Sequence, residues 1–111
     1  MIDKWQTEFL NDQVEAEFLS LPADMQARLL RITELIEQFG LENLGMPYLR
    51  HIQGKLWEMR AKGRSGISRA LYVTVTGKRI VILRVFVKKT PQTPAPEIAL
   101  ALNRIKEIDN G

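Results

Sequence analysis

Eleven lysines and arginines stand between Arg50 and Lys89, with Glu58 as the one acid among them. Arg60, Arg69 and Arg84 each fall inside a run of β-branched, aromatic and apolar residues with the look of a strand, and Lys88-Lys89 closes the last run. Side chains of a strand alternate between two faces, so parity sorts them. Trp57, Met59 and Ala61 share a face that we assign to the core, which turns Glu58 and Arg60 the other way. Arg69 has the parity of Ile67 and Leu71, and Arg84 that of Phe86 and Lys88. One sheet face would then carry Arg60, Arg69 and Arg84, with Lys88 and Lys89 at the rim, Phe86 between them, and Lys55, Lys62 and Arg64 at the flanking turns. Such a face suits RNA, with cations for phosphates and a ring for base stacking. Arg84 also reads as a snorkelling strand residue, and Phe86 as plain core.

Few other side chains offer chemistry. The chain has no cysteine, so a disulfide framework and a thiolate metal site are excluded, and its single histidine argues against a histidine-rich metal site. We expect neither metal nor cofactor. There is no phosphate-binding glycine loop, metal-binding pair or nucleophile elbow, and Gly54, Gly63, Gly66 and Gly77 are spaced as turns. His51 is a candidate general base, or a loop histidine satisfied by hydrogen bonds. Glu58 is a candidate base, or the salt-bridge partner of Arg60 or Arg69. Tyr72 lies on the parity opposite Arg69 and reads as core with its hydroxyl at an edge, and Trp57 as core.

The cations need a scaffold, and the flanking sequence supplies one. Residues 2–10 have the makings of a short first strand. Asn11-Asp12 can cap a short helix carrying Val14, Phe18 and Leu19. Pro22 suits the first turn of a longer helix over residues 22–39, in which Met25, Leu29, Ile32, Ile36 and Phe39 make one apolar stripe, with Gly40 as the stop. Residues 41–55 read as a loop. Strands are expected over residues 56–61, 67–75 and 79–87, joined by short glycine-containing turns as antiparallel hairpins. Thr93 can cap a last helix with Pro94 at its first position, and Ile98, Leu102 and Ile105 share one face of it. The expected architecture is a single α+β domain over residues 1–111: a small antiparallel sheet of about four strands, two N-terminal helices packed on one face, and a C-terminal helix.

At 111 residues the chain is long enough for one core, and its 45% hydrophobic content is ordinary for a globular domain. No apolar run approaches the roughly 20 residues needed to cross a bilayer. Met1-Ile2-Asp3-Lys4 lacks a signal peptide's basic start and apolar stretch. With no cysteine, this leads us to expect a cytoplasmic protein without a membrane partner. Charge is segregated along the chain. Residues 1–47 hold three Lys/Arg against nine Asp/Glu, a net of −6, and residues 48–111 hold thirteen against four, a net of +9. This is the footprint expected of a polyanion-binding face; the alternative is a solvated face on a basic protein, although solubility does not need segregation this strong.

Two stretches carry a resemblance. The first is Gly54-Lys55-Leu56-Trp57-Glu58-Met59-Arg60, followed by Ile67-Ser68-Arg69-Ala70-Leu71-Tyr72. The second is Phe86-Val87-Lys88-Lys89-Thr90-Pro91-Gln92-Thr93-Pro94-Ala95-Pro96-Glu97-Ile98-Ala99-Leu100-Ala101. Together they resemble the RelE/HigB-like toxins of type II toxin–antitoxin modules, in particular the phage-derived HigB-like branch of the RelE/ParE superfamily. The resemblance covers nearly the whole chain from about Phe18 onward. It implies a microbial RNase fold of RelE type and a ribosome-dependent endoribonuclease, an mRNA interferase that inhibits translation by cutting mRNA. It also implies a cognate antitoxin, often of helix-turn-helix type, in a toxin–antitoxin hetero-oligomer. By position, Arg69 matches the family's arginine at the scissile phosphate, Arg60 a basic strand residue of the active site, and Lys88 and Lys89 the basic pair after the last strand.

The chemistry can also be argued from the residues. Metal-free RNA cleavage needs the 2′-hydroxyl to attack the adjacent phosphate, a base for its proton, an acid for the 5′ oxygen, and cations for the developing charge. Arginine stays charged and forks onto phosphate, and a lysine among like charges can move a proton. Some members of the family use a tyrosine or acid near the last helix. This chain has no tyrosine after Tyr72, which leaves the base and acid unassigned. The resemblance leaves two other functions open: a ParE-like toxin of the same architecture acting on DNA gyrase, against which the concentration of Arg60, Arg69, Lys88 and Lys89 argues, and a non-catalytic module that binds RNA or protein electrostatically. An inactive, degenerate toxin is a third.

Overall fold

The structure, a computed structural model, describes residues 4–108. Asn11 caps α1 (Asp12–Leu19), its side-chain oxygen accepting the Val14 N–H at 3.0 Å. α2 (Ala23–Phe39) follows the expected stripe, with Met25, Leu29, Ile32 and Ile36 buried. The stripe ends one step early, because Phe39 is 54% exposed. Gly40, at φ +93, stops the helix.

Five strands form one sheet in the order β1-β5-β4-β3-β2. β3 (Leu56–Gly63), β4 (Gly66–Val75) and β5 (Arg79–Lys88) are the expected hairpin meander. β1 (Gln6–Phe9) realises the opening strand, although the Ile2-Asp3 part of that expectation lies outside the described residues. It pairs parallel to β5, so the sheet is mixed rather than purely antiparallel. β2 (Leu49–Gln53) arises within the stretch read as a loop. Leu49 is its one buried residue, so this short edge strand shows no alternation to read.

Both faces of the sheet are covered. α1 and α2 bury one face, where Met59, Ala70, Tyr72, Ile82 and Val85 meet Val14, Phe18, Met25, Leu29 and Ile36. α3 (Ala95–Arg104) lies on the other, placing Ile98, Ala101 and Leu102 against Leu71, Val81, Leu83 and Phe86. The face expected to present Arg60, Arg69 and Arg84 to RNA is thus covered as well, because the apolar stripe of α3 finds its burial there. A bulge sets which residues of β5 look that way. Leu71 pairs with Arg84 but Tyr72 pairs with Ile82, so Leu83 is the extra residue and the facing parity changes from odd to even. Around the bulge the Leu83 carbonyl accepts from Arg104 Nη1 at 2.8 Å, and the Val85 N–H donates to Glu17 Oε1 at 3.2 Å.

Candidate nucleic-acid interface

The register of β3, β4 and β5 arranges the α3-side face in rows. Glu58 lies opposite Leu71, and Leu71 opposite Arg84. Arg60 lies opposite Arg69, and Arg69 opposite Phe86. Lys62 lies opposite Ile67, and Ile67 opposite Lys88. The parity assignment of Arg60, Arg69, Arg84, Phe86 and Lys88 to one face therefore holds, but that face is not open. The chain between Lys89 and Thr93 crosses it on the way to α3, and the arginines hold this crossing down. Arg69 donates through Nη1 to the Gln92 carbonyl at 3.0 Å and through Nη2 to the Thr90 carbonyl. Arg60 donates through Nη2 to the Pro91 carbonyl.

Glu58 lies beneath this clamp and is fully buried. Its Oε2 is 3.1 Å from Arg60 Nε and its Oε1 is 3.8 Å from Arg69 Nε. Thr93 Oγ1 donates to Oε1 at 2.5 Å. Thr93 is therefore spent on the carboxylate rather than on capping α3, and Pro94 occupies the cap position without a side-chain bond. Burial lowers the Arg69 pKa; Glu58 opposes that, and Arg60 and Arg50 add to it. A guanidinium titrates so high that it stays cationic through such a shift. Glu58 thus takes the salt-bridge role, to both arginines.

Several expected site residues are placed elsewhere. Arg69 has no exposed surface, so its guanidinium meets carbonyls and not solvent. Arg84 is held by Glu97 (2.7 Å) and Glu17 (3.0 Å); the hydrogen bond to Glu97 above all, with the charges of both acids, raises its pKa against burial, and it offers no free cation to RNA. Phe86 is 6% exposed and lies 6.0 Å from the Arg69 guanidinium and 5.8 Å from that of Arg84, too enclosed for a base to stack on it. Lys55 sits in the turn before β3, seven residues from Lys62, or about 23 Å along an extended strand. Trp57, expected in the core, is 39% exposed on the outer part of the sheet, its ring 5.0 Å from that of His51. His51 pairs with Trp57, which has the parity of Met59 on the α1/α2 side, and its Nε2 lies 2.8 Å from the Gly54 carbonyl, so it is the satisfied histidine rather than a base for the arginines. Tyr72 is core as expected, and burial pushes its hydroxyl far above the ordinary phenol range.

What remains is a cluster at the Gly63/Gly66 end of the sheet. Lys62, Arg64, Lys88 and Lys89 are exposed there, and Arg60 keeps 14% of its side chain open beside them. Arg50, opposite Glu58, adds an exposed cation to the same face, and sequence reasoning missed it because β2 read as a loop. Arg28, Arg31 and Tyr48 were missed as well. They line a groove of about 860 Å³ that also reaches Arg60 and Lys62. The two arginines signal themselves only as cations in an otherwise acidic segment. Among the described residues no group of three or more His, Cys, Asp or Glu could hold a metal, and no helix is long and apolar enough to cross a membrane.

A mixed five-stranded sheet with two helices on one face and a third on the other, carrying cations at one end of its strands, is broadly consistent with a RelE-like fold. The model of the family described as "Phage derived protein Gp49-like (DUF891)" matches residues 16–106, and the chain belongs to that family. It is a family of RelE/HigB-like toxins. No curated protein matches the chain.

Proposed function

We propose that this protein is the toxin of a type II toxin–antitoxin module, that it cuts mRNA on the translating ribosome, and that a cognate antitoxin neutralises it. The observation that carries the reading is the cation cluster at one end of the sheet: Arg60, Lys62 and Lys88 set on one face by register and Lys89 following them, with Asp24 of α2 the exposed acid that approaches them at Gly63. Such a cluster attracts a phosphodiester and stabilises the charge that grows on it. The 2′ oxygen forms a bond to phosphorus, the bond from phosphorus to the 5′ oxygen breaks, and the products are a 2′,3′-cyclic phosphate and a 5′-hydroxyl. Arg60 holds the non-bridging oxygens. Of the exposed lysines there, Lys88 and Lys89 are assigned the proton transfers: one, as the neutral amine, takes the 2′ proton, and the other, as the ammonium, gives a proton to the 5′ oxygen. Glu58 is closed off by two arginines and Thr93 and does not serve as the base. Arg69 reaches the phosphate only as Thr90 and Gln92 give up their hold on it.

Primer extension on a defined mRNA in a reconstituted translation reaction tests this. The expected result is cuts within translated codons that disappear when ribosomes are left out. Intact mRNA together with loss of gyrase supercoiling activity would replace the reading with a gyrase poison.

A further inference from the structure

The groove beside α2 shares Arg60 and Lys62 with the sheet-face cluster and extends beyond it onto α2. Residues 1–47 contain nine acids and only two arginines, and both arginines, Arg28 and Arg31, line this groove. They stand one turn apart on α2, with Cβ atoms about 5–6 Å apart, a spacing that can follow neighbouring phosphates. Arg60 and Lys62 line the same groove from β3, and no acid does. Tyr48, 43% exposed, presents an aromatic ring on its wall, and Ile32 and Leu35 provide an apolar floor. Glu34 touches Arg31 at 3.5 Å, but both side chains are more than 60% exposed, so this pair holds the arginine only weakly. At about 860 Å³ the groove falls in the range of roughly 300–1,000 Å³ typical of ligand clefts.

We propose that this groove is a subsite for single-stranded RNA, with Arg28 and Arg31 on consecutive phosphates and the Tyr48 ring stacked on a base. The proposal rests on the mRNA-cutting reading above, since Arg60 belongs to both features and would join the subsite to the cleavage point. Separate cations for the backbone with an aromatic between them is the arrangement that single strands need. An acidic peptide would satisfy the arginines but leave the tyrosine ring without its matching partner.

The test is fluorescence anisotropy of labelled deca-adenylate on the full chain, comparing wild type with Arg28→Glu/Arg31→Glu and with Tyr48→Ala. All three side chains are exposed, so the fold is retained, and Arg28→Gln/Arg31→Gln gives the same readout without reversed charge. The double charge reversal is expected to weaken binding at least about tenfold at roughly 0.1 M salt and to flatten the salt dependence by about 1.4 in slope, from two lost phosphate contacts. Tyr48→Ala is expected to weaken binding about tenfold while leaving that slope unchanged. Unchanged affinity in these variants overturns the subsite even if mRNA is cut on ribosomes. Loss of affinity supports it even if no cuts are seen, which keeps the two readings separable. Displacement of the RNA by poly-glutamate at equal charge concentration overturns it in favour of an acidic protein partner.

Discussion

Replacing Glu58 with glutamine removes one charge and almost nothing else. The amide keeps the side chain's shape and can still accept from Thr93 Oγ1. It leaves the fully buried Arg69 and the nearly buried Arg60 facing each other without a carboxylate. Breaking a buried ion pair from one side costs about 3–5 kcal/mol. Residual exposure of Arg60 lets water screen part of the repulsion, so the lower end applies, about 3 kcal/mol. At about 4–8 °C per kcal/mol for a domain near this size, Glu58→Gln should lower the melting temperature by about 15 °C, followed by far-UV circular dichroism. Glu58→Leu/Arg69→Met, which removes both ends of the pair, should recover a substantial part of that loss. Stability of Glu58→Gln within about 1 kcal/mol of wild type would refute the argument that this carboxylate holds the arginines and, through them, the crossing segment.

Other consequences follow from the same geometry. Gly66 sits at φ +133, where an added Cβ would lie 3.0 Å from the Lys88 carbonyl oxygen and 3.3 Å from Val87 Cγ1. Gly66→Ala is expected to cost about 2 kcal/mol and to lower cleavage by displacing Lys88, read from urea unfolding and primer extension on one preparation. Burial works against ionisation of Glu17, yet the hydrogen bonds from Arg104 and the Val85 N–H, with the charges of Arg84 and Arg104, bring its pKa below the ordinary 4.5. A carboxylate whose folded pKa is depressed contributes stability that is full above its unfolded value and lost as pH falls through the folded one. Stability should therefore decline as pH drops below about 4.5, and Glu17→Gln should blunt that decline in unfolding measured across the acid range.

Much of the frame was legible because its signals are local. The stripe of α2, the Asn11 cap and the three glycine-punctuated strands follow from spacing alone, and parity placed Arg60, Arg69 and Phe86 on one face. What covers that face was not legible. The α3 stripe does not say which side of the sheet it will choose, and the hold of Arg69 on Thr90 and Gln92 is a contact across more than twenty residues. Charge segregation was read as a free basic face, whereas acids from the N-terminal half neutralise part of it: Glu17 meets Arg84 and Arg104, and Glu8 meets Arg79. β2 escaped notice as a short exposed edge, and with it Arg50. Thr93 had the sequence context of a cap, but a buried carboxylate claims its hydroxyl more strongly than exposed helix amides do.

The central claim is that the exposed lysines at the β5 end act on RNA. The most direct measurement is the cleavage rate in a reconstituted translation reaction for wild type, Lys88→Ala/Lys89→Ala and Lys55→Ala. Lys88 and Lys89 are exposed, so their loss should leave the melting temperature unchanged. The account expects the pair to cut at least about 100-fold more slowly, as for loss of proton transfer, and Lys55→Ala at the far end of the strand to cut like wild type. Undiminished cutting by the lysine pair, or an equal loss in Lys55→Ala, would contradict it.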